Sequence, residues 1–267
     1  MPKVPSLMIA VFLSAPLFAL LAIPLITLLG QLSSIEWLWG ASESERAVDT
    51  LLLSLKTSTI SVLVIALTGT PLAWLMANRR AGYWQAVTKM VIIAPMFLPP
   101  SIVGLTLLSA LNREGWLGAL LGGLSSLPFT TSAVIIAQVT VSAPLYVIGA
   151  FAAFQRMDPA LTEMARTLGL SAWESWRRVT VPLLLPGLLI ALSLSWARAL
   201  GEFGATLLFA GLLPGVTETA PLAIYLELER GTTGAMAISL GLIAYMLPLL
   251  IVLVWLNRSY NEHEVSD

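Results

Sequence analysis

RMDPALTEMARTLGLSAWESWRRVTVP, residues 156–182, is a polar island in an otherwise apolar chain. Its local signals are dense. Asp158 followed by Pro159 reads as an N-cap with proline at the first helical position, where the missing N–H costs nothing. Leu161, Met164 and Leu168 then recur at helical spacing. Gly169 suits the left-handed conformation that closes a helix. Ser171 and Glu174 stand at capping-box spacing, each able to satisfy an amide of the other. The island is therefore expected to be two short helices joined by a tight turn at Gly169, with Pro182 ending the unit.

Long apolar runs flank the island. Of 267 residues, 57% are hydrophobic and 11% charged, against about 25% charged in soluble domains. The chain belongs to the membrane class. Six runs reach the length a spanning helix needs: 7–29, 51–77, 87–111, 132–155, 183–209 and 234–256. All must be helical, because open strands cannot satisfy their backbone groups in lipid. The expectation is one all-α transmembrane domain over 1–267 with six transmembrane helices. The first run has no convincing cleavage site after it and is read as a retained span.

Orientation follows from the loops. Arg79, Arg80, Lys89, Arg156, Arg166, Arg177, Arg178, Lys3 and Arg258 fall on one side, nine cations in all; Arg46, Arg113 and Arg230 fall on the other. The richer side, with both termini and the 156–182 island, is expected to be cytoplasmic. On the opposite side, loop 30–50 sets Arg46 among Glu36, Glu43, Glu45 and Asp49, and loop 210–233 sets Arg230 among Glu218, Glu227 and Glu229.

The net charge of −1 offers no bulk basic surface for nucleic acid, and the chain has no cysteine for disulfides or thiolate chemistry. His263, the single histidine, lies in the polar tail. Lys56 in the second run is expected to snorkel to the interface. Pro71, Pro95, Pro99 and Pro100 should bend the second and third spans, with the Pro99–Pro100 pair breaking the third. Residues 115–128 are too short and glycine-rich to span and read as re-entrant or interfacial, with Gly118 and Gly122 at helix-contact spacing.

A second informative stretch is SWARALGEFGATLLFAGLLPGVTETAPLAIY, residues 195–225. Arg198 and Glu202 are four apart, on one helix face. Counted from Pro186, they lie ~18 Å and ~24 Å into the membrane at 1.5 Å per residue, within a core about 30 Å thick. A charge there costs at least about 2.5 kcal/mol, so both must pair or face a polar path. Gly201 and Gly204 flank Glu202 and permit close packing or local unwinding.

Both stretches carry a resemblance. Glu163, Ala165, Gly169 and Pro182 stand at the spacing of the EAA motif, E-A-A-x3-G-x9-I-x-L-P. Met164 replaces its first alanine, and Val179 and Val181 replace its Ile and Leu. The motif resembles the cytoplasmic coupling loop of ABC importer permeases. A-R-A-L-G-E-F-G-A-T-L followed by P-G-x-T-E-T-x-P-L-A-I-Y is similar to the molybdate, tungstate and sulfate permeases. Ala205–Thr206 and Leu222–Tyr225 are closer to the molybdate branch, whereas Gly211-Leu212-Leu213 departs from its more usual Gly-Asn-Ile.

What the resemblance implies is a type I importer permease fold. It also implies a second copy of the chain, a cytoplasmic ATPase subunit carrying ATP and magnesium, and an extracytoplasmic oxyanion-binding protein. Residues Glu163, Met164, Ala165, Gly169, Leu170 and Pro182 would couple to the ATPase. Arg198, Gly201, Glu202, Gly204 and Thr206 would line or gate the pathway. The chain itself lacks a phosphate loop, zinc-spaced His/Glu pairs and a nucleophile elbow, so it is expected to be neither an enzyme nor a holder of cofactor or metal. A sulfate or thiosulfate permease and a self-contained secondary carrier are the other readings the sequence leaves open.

Overall fold

A computed structural model describes residues 4–30, 41–78, 82–121 and 127–264. Expectations resting on Lys3, Glu36, Arg79, Arg80 and Gly122 lie outside the described residues. Every regular element among the described residues is helical: α1 (Val4–Gly30), α2 (Ala41–Asn78), α3 (Tyr83–Phe97), α4 (Pro100–Leu111), α5 (Trp116–Leu121), α6 (Thr131–Arg156), α7 (Pro159–Thr167), α8 (Ala172–Ser175), a π-helical turn (Trp176–Thr180), α9 (Val181–Leu200), α10 (Gly204–Ala210), α11 (Ala220–Arg230) and α12 (Thr232–Glu264).

Four helical stretches among the described residues are long and apolar enough to cross a membrane: Val11–Gly30, Glu45–Asn78, Thr131–Arg156 and Ala172–Leu200. The third and fifth runs are not single straight spans. The third run is two helices bent by 111° at the prolines; counted as one broken span, it brings the total to five. Pro99 caps α4 and Pro100 is its first residue, so the pair breaks the third run as expected, and the fixed proline φ starts a new helix. The fifth run stops at Leu200 and not at 209. The sixth, 234–256, falls inside α12, a single helix of 33 residues.

Helices α2, α6 and α9 form the centre. Ile65, Ala73 and Met76 of α2 pack with Tyr146, Val147 and Ala150 of α6 and Ala191 of α9. Small residues bring backbones together where lipid supplies no hydrophobic drive between helices. A Cβ on Gly149 would stand 2.6 Å from the Ala191 Cβ. Polar side chains reinforce the seam. Thr50, Ser54, Thr57, Ser58 and Ser61 form a buried stripe along α2. Ser61 Oγ donates to Gln138 Oε1 at 2.9 Å, Gln138 Nε2 donates to Thr57 at 3.3 Å, and Trp196 Nε1 donates to Ser58 at 2.9 Å.

A second cluster holds α4 and α10 against α6 through Val103, Leu111, Val134, Ala137, Ala205 and Phe209. Here α4 and α10 meet backbone to backbone at Gly104 and Ala205. A third cluster, of Ala47, Leu51, Ala220, Ala223 and Ile238, joins α2, α11 and α12.

Candidate functional site: a docking loop and a buried ion pair

The 156–182 island folds much as its caps dictate. Asp158 Oδ1 accepts the Ala160 N–H at 2.9 Å, with Pro159 at the first position of α7. Gly169 has φ +92°, and the chain reverses there with the Leu170 N–H donating to the Ala165 carbonyl at 3.2 Å. The capping box is complete: the Glu174 N–H donates to Ser171 Oγ at 3.3 Å and the Ser171 N–H donates to Glu174 Oε2 at 3.0 Å. Ser175 Oγ reaches back to the Thr162 carbonyl at 3.3 Å, tying the two arms together.

Pro182 does not end the unit. It is the second residue of α9, and one continuous helix runs from Ala172 to Leu200. The π-helical turn Trp176–Thr180 explains how. Its i→i+5 bonding, closed by the Val181 N–H on the Trp176 carbonyl, widens the backbone just before a residue that has no N–H and crowds the carbonyl four residues back. The loop is thereby fused to a membrane-crossing helix.

The two faces of the loop differ in burial. Ala165 is buried between the arms, permitting their close approach. Leu161, Met164 and Leu168 do not anchor the loop to this chain: all three are exposed, Leu168 at 84%. Glu163 is also exposed, and Leu170 is half-buried. The stacked indoles of Trp173 and Trp176, 5.0 Å apart, extend the exposed apolar surface. Gly169 makes no close approach to another part of the chain, since a Cβ there would meet nothing within 4 Å; its role is conformational.

The second candidate group gathers at a helix break. Helix α9 ends at Gly201 (φ −86°, ψ 10°) and α10 begins at Gly204. This is the local unwinding that Gly201 and Gly204 suggested. Arg198 Nη2 lies 2.7 Å from Glu202 Oε2. Glu202 is 1% exposed, and its Oε1 accepts the Ala205 N–H at 2.8 Å, satisfying a free amide at the start of α10. Gly204 sits against the start of α4: a Cβ there would be 3.2 Å from Pro100 Cβ and from the Ser101 nitrogen. Thr206 is fully buried with its hydroxyl unpartnered among the described residues.

A further ion cluster joins residues far apart in the sequence. Arg46 bonds both carboxylate oxygens of Glu218, with its Nε 3.1 Å from Oε1, and its Nη1 lies 3.1 Å from Glu227. Arg230 joins Glu227 at 3.1 Å. Nearby, Ser54 Oγ accepts the Ala220 N–H at 2.6 Å. The signal available was the lone arginine in an acidic loop facing a second acidic loop; only the fold shows that they meet. Residues 41–50, expected as loop, are the first turns of α2.

A polytopic helical bundle with a rigid, apolar-faced loop fused to one spanning helix, and an ion pair buried at the far end of that same helix, defines a membrane component that works with partners. The family model described as "Binding-protein-dependent transport system inner membrane component" matches residues 69–262, and the chain belongs to this family. It is 38% identical over 222 residues to the molybdenum transport system permease protein ModB of Mycobacterium tuberculosis, covering 82% of this chain and 83% of that one. The corresponding protein of Escherichia coli K12 is 36% identical over 216 residues, covering 79% and 94%. In fold, the chain is similar to one in the crystal structure of a bacterial ABC transporter involved in the import of the acidic polysaccharide alginate. The TM-score is 0.63 at 18% identity, over 96% of this chain and 99% of the other. The fold is thus that of an ABC importer permease.

Proposed function

We propose that this chain is the permease subunit of an ABC importer that moves a tetrahedral oxyanion, molybdate first and tungstate next, into the cytoplasm. ATP hydrolysis, with magnesium, takes place on a separate ATPase subunit. The observation that carries the cargo is the identity of 36–38%, over about four-fifths of the chain, to relatives named as molybdenum permeases. Sulfate and thiosulfate are the alternative cargo. Membership of a binding-protein-dependent family argues against a self-contained carrier.

Two copies of the chain would enclose the path, with the binding protein outside and both termini and residues 156–182 in the cytoplasm. The exposed Leu161, Met164 and Leu168 support a docking face for the ATPase, alongside Glu163. Ala165, Gly169 and Leu170 hold the shape of that face, and Pro182 lies where it joins α9. Because the loop is fused to α9, displacement of the ATPase moves a membrane helix as a rigid lever. Arg198, Gly201, Glu202, Gly204 and Thr206 then lie at the other end of the lever, where the path opens and closes.

The test is ATPase activity of the reconstituted complex with binding protein loaded with molybdate, tungstate or sulfate. Stimulation by molybdate supports the reading. Stimulation by sulfate alone replaces the cargo, and failure of the chain to capture any ATPase removes the class.

A further inference from the structure

The Arg198–Glu202 pair is asymmetric in a way that a simple helix-orienting ion pair does not require. The Glu202 carboxylate is fixed at both oxygens, one by the Ala205 N–H and one by the Arg198 charge. Its burial is nearly complete, while the Arg198 side chain is 32% exposed. Arg198 spends one edge of its guanidinium on Glu202, with Nη2 2.7 Å from Oε2, and the described residues give it no second partner. A guanidinium carries five N–H donors in a fixed fork suited to tetrahedral oxyanions. Here the donors not facing Glu202 have no partner among the described residues, and the charge is compensated by a carboxylate that is itself held by the Ala205 N–H. Displacing Glu202 would uncap α10 and disturb its contact with the start of α4 at Gly204 and Ser101.

Such an arrangement suits conduction. A path must hold an ion well enough to admit it and weakly enough to release it. An unmasked arginine in a membrane interior would trap a dianion. A masked one offers hydrogen bonds with little net charge.

Resting on the reading of residues 198–206 as part of the path, we propose that Glu202 is a resident anion that sets oxyanion affinity: its charge compensates that of Arg198, so that the remaining guanidinium edge binds a passing tetrahedral dianion only weakly. Glu202 is a positioning and specificity-determining residue; Arg198 makes the contact.

The test measures equilibrium binding of radiolabelled molybdate to the permease–ATPase complex in nanodiscs without binding protein, beside ATP-driven molybdate turnover. Glu202→Gln keeps an acceptor for the Ala205 N–H and deletes the charge. The expected result is molybdate affinity raised about tenfold or more, equivalent to about 1.4 kcal/mol, together with slower turnover and unchanged ATPase capture. Sulfate binding should rise as well, since the effect is one of charge. The double variant Arg198→Gln/Glu202→Gln should lose the gain. Unchanged or weaker anion binding in an assembled Glu202→Gln complex overturns the proposal. Should that variant not assemble, Glu202→Asp reads the same quantity. Its shorter side chain cannot hold both partners, so a smaller rise in affinity is expected and an unchanged affinity overturns the proposal. If the wild-type complex responds only to sulfate-loaded binding protein, the molybdate cargo fails, and the charge effect is read with sulfate.

Discussion

Gly104→Ala is the sharpest probe of the core that places the ion pair. The added Cβ would stand 2.5 Å from the Ala205 carbonyl oxygen and 2.8 Å from its Cα. Ordinary contact begins at 3.4 Å, so α4 and α10 must separate by about 0.9 Å. The obstacle is backbone, so no side-chain rotation relieves it. Overpacking of this kind costs about 1–3 kcal/mol, and a backbone clash belongs at the upper end. Alanine's better helix propensity returns up to about 1 kcal/mol. The net is about 2 kcal/mol, roughly a thirtyfold fall in the docked arrangement. Since α10 starts two residues after Glu202, its shift also strains the Glu202–Ala205 bond. The assay is thermal unfolding of the purified chain in nanodiscs, with Gly30→Ala as control, because a Cβ there meets nothing within 4 Å. If Gly104→Ala unfolds together with the wild type and supports full transport, the backbone contact between α4 and α10 is not as described.

Three further outcomes follow from the geometry. Gly169→Val forces a β-branched residue to φ +92°, costing at least about 1–2 kcal/mol locally. ATP-driven uptake should fall while the membrane helices melt unchanged, and full uptake would refute the turn's role. Leu168→Arg alters a side chain that is 84% exposed, so stability should stay within about 0.5 kcal/mol. Capture of the ATPase in a pull-down should nonetheless weaken, and undiminished capture would remove this docking face. Arg46→Met strips Glu218 of its cation while Glu218 stays 1% exposed. The expected loss is about 2–3 kcal/mol, below that of a fully buried pair because Arg46 is partly open to water. Adding Glu218→Gln should recover part of the loss in thermal melting, and strictly additive effects would show that the two are not coupled.

The sequence by itself determined whatever depends on short spacing. Asp158–Pro159, Gly169 and the Ser171/Glu174 box act within one or two helical turns, so their geometry follows from local chemistry alone. The same holds for the Arg198–Glu202 pairing, which their separation of four residues brings within reach even though Glu202 lies past the end of α9, and for the break at Gly201–Gly204. The all-helical character follows from the lack of water to satisfy an open backbone in lipid.

Tertiary structure decided what depends on distance along the chain or on how a local conflict is relieved. Pro182 looked like a terminator because proline lacks an N–H, yet the π-helical turn before it lets the helix continue into α9. Pro99–Pro100 marked a break in the third run, but only the fold, with α4 packed on α10, gave its angle of 111°. Leu161, Met164 and Leu168 have the periodicity of a buried stripe, but periodicity does not say what covers them. Arg46 meets Glu218 and Glu227 across more than 170 residues. No local pattern encodes that meeting, because it arises only when α2, α11 and α12 pack around their shared apolar cluster and bring two charged ends to the same height.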